Sequence, residues 1–361
     1  MKNHFGYIAD GAVKALEFPD YYVWDCSVIY AQGQYHMFSS RWKRELGFGS
    51  NWLFNAEVVH CVADRPEGPY HYCNTVLPRR GRQYFDGMNT HNTCIKYYDG
   101  KYYLFYMGCT YRTEIPKSYL EIPKDLALET WNRKRIGLAV AEDINADFIR
   151  GDKPLLEPRD CSHWDCTVTT NPTVAILPGG KTYMIYKSRR AVNKPLQLGM
   201  AVAEHPAGPF ERLTEGPILQ FEDENLFIED PFLWYDEKRK KFCAIIKDDC
   251  RNGSSGITGE WGSGFYAESD DAIHFEIPED PKVYSSKVKW ADGTQANLCN
   301  LERPSLLFDE NGEPTHLFCS SGVGPGPFAF EGSTFVVCLK LKKKEDEPAL
   351  YLLGNEHPVA E

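Results

Sequence analysis

Three acidic residues stand directly before apolar, strand-like sequence at widely separated points of the chain. They are Asp25 in "WDCSV", Glu229 in "EDP" and Glu302 in "ERP". A carboxyl group that keeps its proton can act as a general acid, whereas an ionised one can act as a general base. If the fold brings these segments together, the chain has the groups for acid–base chemistry on a bound substrate.

A second "WDC" segment, "WDCTV" at residues 164–168, nearly repeats the first one. When the chain is aligned on the strands that follow, its Asp165 lies six residues before Asn171 and does not match Asp25. Asp165 is therefore expected on the loop that enters the third repeat. Either the similarity is a coincidence, or this loop returns towards the same site.

The elements that must position these residues are β-hairpins. An apolar strand, a tight turn and a Tyr- and Phe-rich strand recur, with the turn chemistry of a hairpin. A second hairpin follows each one, most clearly in the close copies "EVVHCVADRPEGPYHY" and "QLGMAVAEHPAGPFER". Four-stranded units repeated without helices are typical of a β-propeller. The first hairpins of the five units lie at 27–40, 93–108, 173–188, 232–249 and 305–322.

The sequence therefore predicts an all-β fold, a single five-bladed β-propeller of four-stranded antiparallel blades round a central channel. The fifth blade has no obvious fourth strand, so we expect N-terminal residues 6–13 to complete it, because an open ring would leave an unpaired edge. Segment 118–131 is predicted to be a lid or an inserted loop. The predicted blades are 22–85, 86–160, 161–222, 223–295 and 296–345.

One polar residue occupies the start of the first strand in every unit, and we call these five the mouth residues. The first strand of a propeller blade is innermost, so they are expected to converge at one mouth of the channel. Lys187 and Lys247 end the second strands of their hairpins and are expected at the same mouth. The mouth residues are Asp25, Asn92, Asn171, Asp230 and Arg303.

This arrangement resembles the five-bladed propeller glycoside hydrolases of families 43 and 32, and especially of family 117. The resemblance covers all five blades, and it implies an enzyme that cleaves a terminal sugar from an oligosaccharide. It is carried by Asp25 in "WDCSV", by "NTHNT" (89–93), by "EDPFLWYD" (229–236) and by "ERPSLLFDENGEPTHLF" (302–318).

The resemblance implies that Asp25 is the general base and Glu229 the proton donor, with Glu302 as a second candidate for the donor. The carboxylate that tunes the acid in these families is replaced by Asn171. Asp165 is the best local substitute for it, and Asp230 is also a candidate for raising the pKa of the acid. The histidine of family 117 has no counterpart just upstream of Glu229. Facing carboxyl groups across the channel would lie about 6.5–9.5 Å apart, the separation of an inverting enzyme.

The remaining polar and aromatic residues near the mouth are predicted to bind the sugar. The loop at 39–54, with Arg41, Trp42 and Trp52, is expected to wall a subsite, because aromatic faces stack on sugar rings and Arg binds hydroxyls or a carboxylate. No cofactor is predicted, although a divalent cation among the channel carboxylates stays open as an alternative. The predicted substrate-binding residues are His91, Asn92, Trp164, Asn171, Lys187, Asp230, Lys247, Asp248 and Arg303.

Other functions fit the same architecture. The replacement at Asn171 favours a propeller that binds sugar without cleaving it. A glycoside phosphorylase would need basic groups around Glu229, and few stand near it in the sequence. A propeller that binds proteins would expose an apolar face at the mouth instead of carboxylates.

The amino-acid composition limits the kinds of partner that we expect this protein to bind. The net charge of −11 argues against nucleic acid and anionic membranes, since no basic field would attract phosphates. No apolar run approaches the ~18–20 residues of a membrane span. The start "MKNHFGYIAD" has no apolar signal core, so we expect a cytoplasmic protein, or a periplasmic one whose leader has been removed. The 12 cysteines lack metal spacing and are expected to be buried apolar side chains.

Overall fold

The computed structural model describes residues 3–111, 122–223, 226–250, 255–326 and 328–344. Within them, five four-stranded antiparallel sheets follow one another along the chain. The first strand of each sheet contacts the first strands of the two neighbouring sheets, so the five close into a ring. The predicted fold class, an all-β five-bladed propeller, is confirmed.

The first four blades are continuous in sequence, and their strands run in chain order from the axis outwards. Blade one contains β2 (Tyr21–Ala31), β3 (Gln34–Lys43), β4 (Glu57–Ala63) and β5 (His71–Leu77). Blade two contains β6 (Asn89–Tyr98), β7 (Lys101–Cys109), β8 (Arg135–Ala141) and β9 (Ile149–Arg150). Blade three contains β10 (Thr170–Ile176), β11 (Thr182–Ser188), β12 (Gln197–Ala203) and β13 (Glu211–Arg212). Blade four contains β14 (Leu226–Asp236), β15 (Lys241–Cys250), β16 (Gly264–Ser269) and β17 (Lys282–Tyr284).

The fifth blade uses both ends of the described chain. Its outermost strand is the N-terminal one, which pairs antiparallel with the last strand from Tyr7 opposite Lys343 to Glu17 opposite Phe335. The edge that the ring would otherwise leave open is thus covered from the N-terminal side. The four strands are β20 (Glu302–Phe308), β21 (Pro314–Gly322), β22 (Thr334–Lys343) and β1 (Tyr7–Glu17).

Few described elements lie outside the blades. A small hairpin, β18 (Lys287–Lys289) and β19 (Gln295–Asn297), precedes blade five. The helices are α1 (Trp52–Asn55) and α2 (Lys124–Asn132), with 3₁₀ turns at Arg44–Leu46 and Gly49–Asn51. Helix α2 falls in the segment predicted as a lid, of which residues 118–121 lie outside the described part. Neither described helix has the length and apolar character needed to cross a bilayer.

The apolar core is divided among the interfaces between neighbouring blades. Phe38 of blade one packs in one cluster with Tyr106 of blade two, and Ile245 of blade four packs in another with Leu317 of blade five. A blade is therefore covered on both faces, which explains why its strands are nearly continuous apolar runs. The described cysteines are free thiols, and Cys243, like most of them, is buried in such an interface.

Candidate active site at the channel mouth

The five mouth residues share one backbone conformation. Each has a positive φ, and each coincides with a break in the pairing register between the first and second strands of its blade. Asp and Asn adopt this left-handed region more readily than most other residues with a side chain, whereas Arg seldom does. Such bulges redirect side chains out of the strand alternation. The φ values are 56° for Asp25, 58° for Asn92, 53° for Asn171, 54° for Asp230 and 57° for Arg303.

The mouth residues form a closed ring of polar contacts round the channel. The Asn92 side-chain amide donates to Oδ1 of Asn171 (2.8 Å), and the Asn171 amide donates to Oδ1 of Asp230 (2.9 Å). Arg303 completes the ring, with Nη1 2.9 Å from Oδ1 of Asp230 and Nε 3.0 Å from Oδ1 of Asp25. The backbone N–H of Asn92 donates to Oδ2 of Asp25 (3.0 Å). An Asp at position 171 would set a second carboxylate against Asp230, so the amide fits this ring.

A cavity of about 670 Å³ opens above the ring, within the size range of small-molecule sites. Four carboxylate residues line it, namely Asp25, Glu229, Asp230 and Glu302. Its walls are aromatic, as expected for a surface that stacks on sugar rings. The aromatic wall residues are Trp24, Trp42, Phe48, Trp52, Trp131 and Phe328.

Glu229, Asp230 and Glu302 form a tight carboxylate cluster, with one oxygen of each within 4.8 Å of the others. Lys187 Nζ lies 3.4 Å from Oε1 of Glu229, and Lys247 Nζ lies 3.8 Å from Oε2. Lys247 also pairs with Glu302. The expectation that few basic groups surround Glu229 is therefore wrong. Lys187 and Lys247 lie near the ends of the second strands of blades three and four, and the fold places both beside Glu229. Such a cluster could bind a divalent cation, but these lysines and Arg303 already supply positive charge.

Burial and neighbouring charges shift the pKa values of Glu302 and Asp25 in opposite directions. Burial raises the pKa of Glu302, and repulsion from Asp230 and Glu229 adds to this effect against the attraction of Lys247. Burial also acts on Asp25, but Arg303 and His91 outweigh it and lower the pKa of Asp25 to about 2. Glu302 therefore tends to keep a proton, whereas Asp25 stays ionised.

His91 is a buried histidine of the cavity wall. Its Nδ1 lies 3.7 Å from Oδ2 of Asp25, and its ring meets the Trp52 ring edge-on at 5.3 Å between centroids. Burial lowers the pKa of His91 to about 4, so the ring is neutral at pH 7. Its Nε2 is buried and has no hydrogen-bond partner within the described structure.

Asp165 belongs to the scaffold and not to the cavity. It is fully buried, pairs with Arg159 (2.7 Å) and Arg212 (2.5 Å), and accepts from the Tyr186 hydroxyl (2.8 Å). Trp164 stacks on the same Tyr186 ring at 5.9 Å. The structure therefore does not support a role for Asp165 beside the acid, or for Trp164 as a sugar contact.

The same arrangement occurs one blade earlier. Asp86 stands six residues before Asn92, pairs with Arg80 (2.6 Å) and Arg150 (3.3 Å), and accepts from the Tyr106 hydroxyl (2.7 Å). The counterpart of Asp165 is thus Asp86 and not Asp25. The two "WDC" segments are alike by coincidence.

Asp248 also serves the scaffold instead of the substrate. It is fully buried, and its Oδ2 accepts from the backbone N–H groups of Ile257 (2.8 Å) and Thr258 (2.6 Å). These bonds hold the loop that follows strand β15. Asp248 does not line the cavity, because along the strand its side chain points away from that of Lys247.

Sequence reasoning missed several residues of the cavity. Lys134 is only 2% exposed and lines the wall, as do Trp131 and Arg189. The position of Lys134 in its blade could have identified it. Ala56, Lys134 and Leu196 each directly precede the third strand of a blade, and all three line the cavity.

No protein-family model matches the sequence, and no curated protein matches it. Solved structures do match. A family 117 glycoside hydrolase of the marine bacterium Zobellia galactanivorans has a TM-score of 0.63 at 15% identity, covering 94% of this chain and 92% of that one. The catalytic domain of a family 62 α-L-arabinofuranosidase of Coprinopsis cinerea has a TM-score of 0.59 at 13% identity, covering 93% and 97%.

A third match is an arabinanase of Bacillus subtilis, with a TM-score of 0.53 at 12% identity, covering 89% of this chain and 94% of that one. All three comparisons extend over nearly the whole chain. At these identities they establish a common fold. The resemblance to propeller glycoside hydrolases found in the sequence is therefore confirmed at the level of the fold.

Proposed function

We propose that this protein is a glycoside hydrolase that removes a terminal sugar from an oligosaccharide with inversion. The observation that carries the proposal is the cavity itself, where an ionised Asp25 and a carboxylate cluster lie between aromatic walls. The matching folds of glycoside hydrolases from several families support it. Inverting hydrolysis needs one protonated and one ionised carboxyl group at the scissile bond.

Asp25 takes the part of the general base. Its low pKa keeps it charged, and Ser40 and the backbone of Asn92 hold Oδ2 in place through hydrogen bonds of 2.9 and 3.0 Å. Oδ1 points to Arg303, which also pairs with Asp230. A water between Asp25 and the anomeric carbon would be activated once the sugar has displaced bulk solvent.

Glu229 takes the part of the proton donor. Its side chain is 16% exposed, the most of the three clustered carboxyl groups, so it is the most accessible to a leaving oxygen. Glu302 is the alternative, because burial and its acidic neighbours raise its pKa. Whichever glutamate is the donor, a neighbouring carboxylate of the cluster favours its protonated form by charge repulsion. Asp230 supplies this carboxylate, since position 171 is an asparagine.

A glycoside phosphorylase is the second candidate, and the lysines around Glu229 favour it. Lys187 and Lys247 both lie within 4 Å of this carboxylate, where phosphate would have to bind beside the acid. Turnover that requires inorganic phosphate and yields a sugar phosphate would identify that activity.

The proposal is tested with aryl glycosides and plant and marine oligosaccharides, reading the product anomer by NMR. Asp25→Asn and Glu229→Gln are made separately, and each is expected to lower turnover by about 10²–10⁴-fold. Cleavage that persists in both variants would refute the assignment. A wild-type protein that binds sugars but cleaves none of them would be a sugar-binding propeller.

A further inference from the structure

Lys134 is a buried cation of the cavity wall that has no ionic partner in the described part of the chain. Among the described residues, no carboxylate lies within salt-bridge distance of its Nζ, which instead lies 3.9 Å from the centre of the Trp131 ring and 5.0 Å from that of Trp52. Burial lowers its pKa, and repulsion by Lys187 and Arg303 adds to this. A buried ammonium without a counter-charge destabilises a protein, so its presence requires a reason.

Arg189 is a second cation of the same wall. Its guanidinium donates to the backbone oxygen of Val192 (3.0 Å) and to Oδ1 of Asn132 (3.4 Å), and its Nε is buried without a hydrogen-bond partner. Within the described chain it too has no carboxylate partner. Burial lowers its pKa.

Both cations lie on one indole ring. The Arg189 Cζ is 4.0 Å from the centre of the Trp131 ring, so it lies within about 8 Å of the Lys134 Nζ. Helix α2 carries Trp131, and all three residues line the cavity. We call Lys134 and Arg189, which both lie against the indole of Trp131 and line the cavity, the basic patch.

The basic patch differs from the other cations near the mouth. Lys187, Lys247 and Arg303 are each paired with carboxylates of the site. Their charge is therefore balanced before any substrate arrives. The charge of Lys134 and Arg189 is not balanced by a carboxylate of the described site, and an ammonium and a guanidinium both form charge-assisted hydrogen bonds with carboxylates and sulfates.

We propose that this basic patch, Lys134 and Arg189, recognises a negatively charged substituent on the sugar, the carboxylate of a uronic acid or a sulfate ester. The inference rests on the proposed function, because it names the class of sugar that the same cavity accepts. The charged substituent brings one negative charge to the two cations, both of which lie against the indole of Trp131. Neutral sugars lack the group that this wall is built to bind, so they bind more weakly.

The test is equilibrium binding by calorimetry to the full chain, with sugars paired by charge. The pairs are galacturonic acid with galactose, glucuronic acid with glucose, and galactose 6-sulfate with galactose. In at least one pair the charged member is expected to bind about 10- to 100-fold more tightly. Preference for the uronic acids identifies a carboxylate, and preference for the sulfated sugar identifies a sulfate ester.

Two variants connect that preference to the basic patch. Lys134→Met and Arg189→Gln should each reduce the affinity ratio within the preferred pair towards one. Lys194→Met is the matched control, because it removes an exposed lysine from the segment that follows Arg189, and it should keep the wild-type ratio. Lys134→Met should also raise the melting temperature by roughly 2–4 °C, since it removes an unbalanced buried charge.

The outcomes separate this inference from the proposed function. The role proposed for the basic patch would be refuted if both members of every pair bound equally well. It would also be refuted if the preference for the charged sugar persisted in both variants. Neither result would contradict the hydrolase proposal. Tight binding of inorganic phosphate that speeds turnover and is lost in both Lys134→Met and Arg189→Gln would also overturn the role proposed for the basic patch, because the patch would then hold a free reactant. If no sugar binds and no glycoside is cleaved, both proposals fail.

Discussion

Arg303 Nε lies 3.0 Å from Oδ1 of Asp25, which joins the last blade of the ring to the first. The same guanidinium reaches Asp230, so one side chain of blade five holds two carboxylates that belong to blades one and four. Arg303 adopts a left-handed backbone conformation that costs on the order of 1–3 kcal/mol. From this conformation the guanidinium pairs with both carboxylates.

Asp25 should make the protein sensitive to acid. Its pKa is about 2 in the folded state and about 3.9 in an unfolded chain. The stabilisation is therefore fully present above about pH 4 and is lost as the pH falls through about 2, a change of about 2.5 kcal/mol. Urea unfolding of wild type and Asp25→Asn between pH 2 and 6 measures it. A difference between the two proteins that does not vary with pH would contradict this account.

Glu229→Gln should affect substrates according to their leaving group. A glutamine cannot donate a proton, so sugars linked to poor leaving groups should lose about 10²–10⁴ in turnover. Dinitrophenyl glycosides and glycosyl fluorides need little protonation and should be much less affected. Glu302→Gln is the comparison, and if it alone shows this pattern, the donor is Glu302. Equal losses on both classes of substrate in both variants would mean that neither glutamate is the acid.

Asn171→Asp tests why an amide occupies this position. The new carboxylate would face Asp230 across the present 2.9 Å contact, so the free energy of unfolding at pH 7 should fall by about 1–3 kcal/mol. Lowering the pH to 4 should recover part of that loss, because one of the two carboxyl groups then takes up a proton. Asn171→Ala removes the same hydrogen bonds without adding charge, and its loss should not depend on pH.

Asp165→Asn should lower stability and leave the proposed activity of the folded protein unchanged. The substitution leaves Arg159 and Arg212 without their buried carboxylate, at a cost of about 3–5 kcal/mol. Chemical denaturation measures this loss, and turnover per folded molecule should match wild type. Asp86→Asn should behave alike, whereas Asp147→Asn at an exposed position should stay within about 0.5 kcal/mol of wild type. Loss of turnover without loss of stability would instead indicate that Asp165 takes part in the reaction.

Much of the site could be predicted because propeller blades repeat in register. Hairpin turns and alternating aromatic strands identify the blades, and the same position in each blade then falls at the same place round the axis. The mouth residues Asp25, Asn92, Asn171, Asp230 and Arg303 were found in this way. Lys187 and Lys247 were predicted at the same mouth because, in an antiparallel hairpin, the second strand ends beside the start of the first strand.

Residues outside that register could not be placed from the sequence. Asp165 and Trp164 resemble site residues in their types, but a loop carries them to buried arginines and a tyrosine. Lys134 and Arg189 lie against one ring because helix α2, which is inserted between two strands of blade two, carries Trp131.

The sequence by itself determined the number of blades, the way the ring closes and the identity of the residues at its mouth, because these depend on local hydrophobic patterns that recur. The tertiary structure decided which charges balance one another, such as Arg303 between Asp25 and Asp230, and which stay unbalanced, such as Lys134. Electrostatic interaction depends on distances of a few ångströms between residues far apart in the chain, and no local pattern encodes those distances.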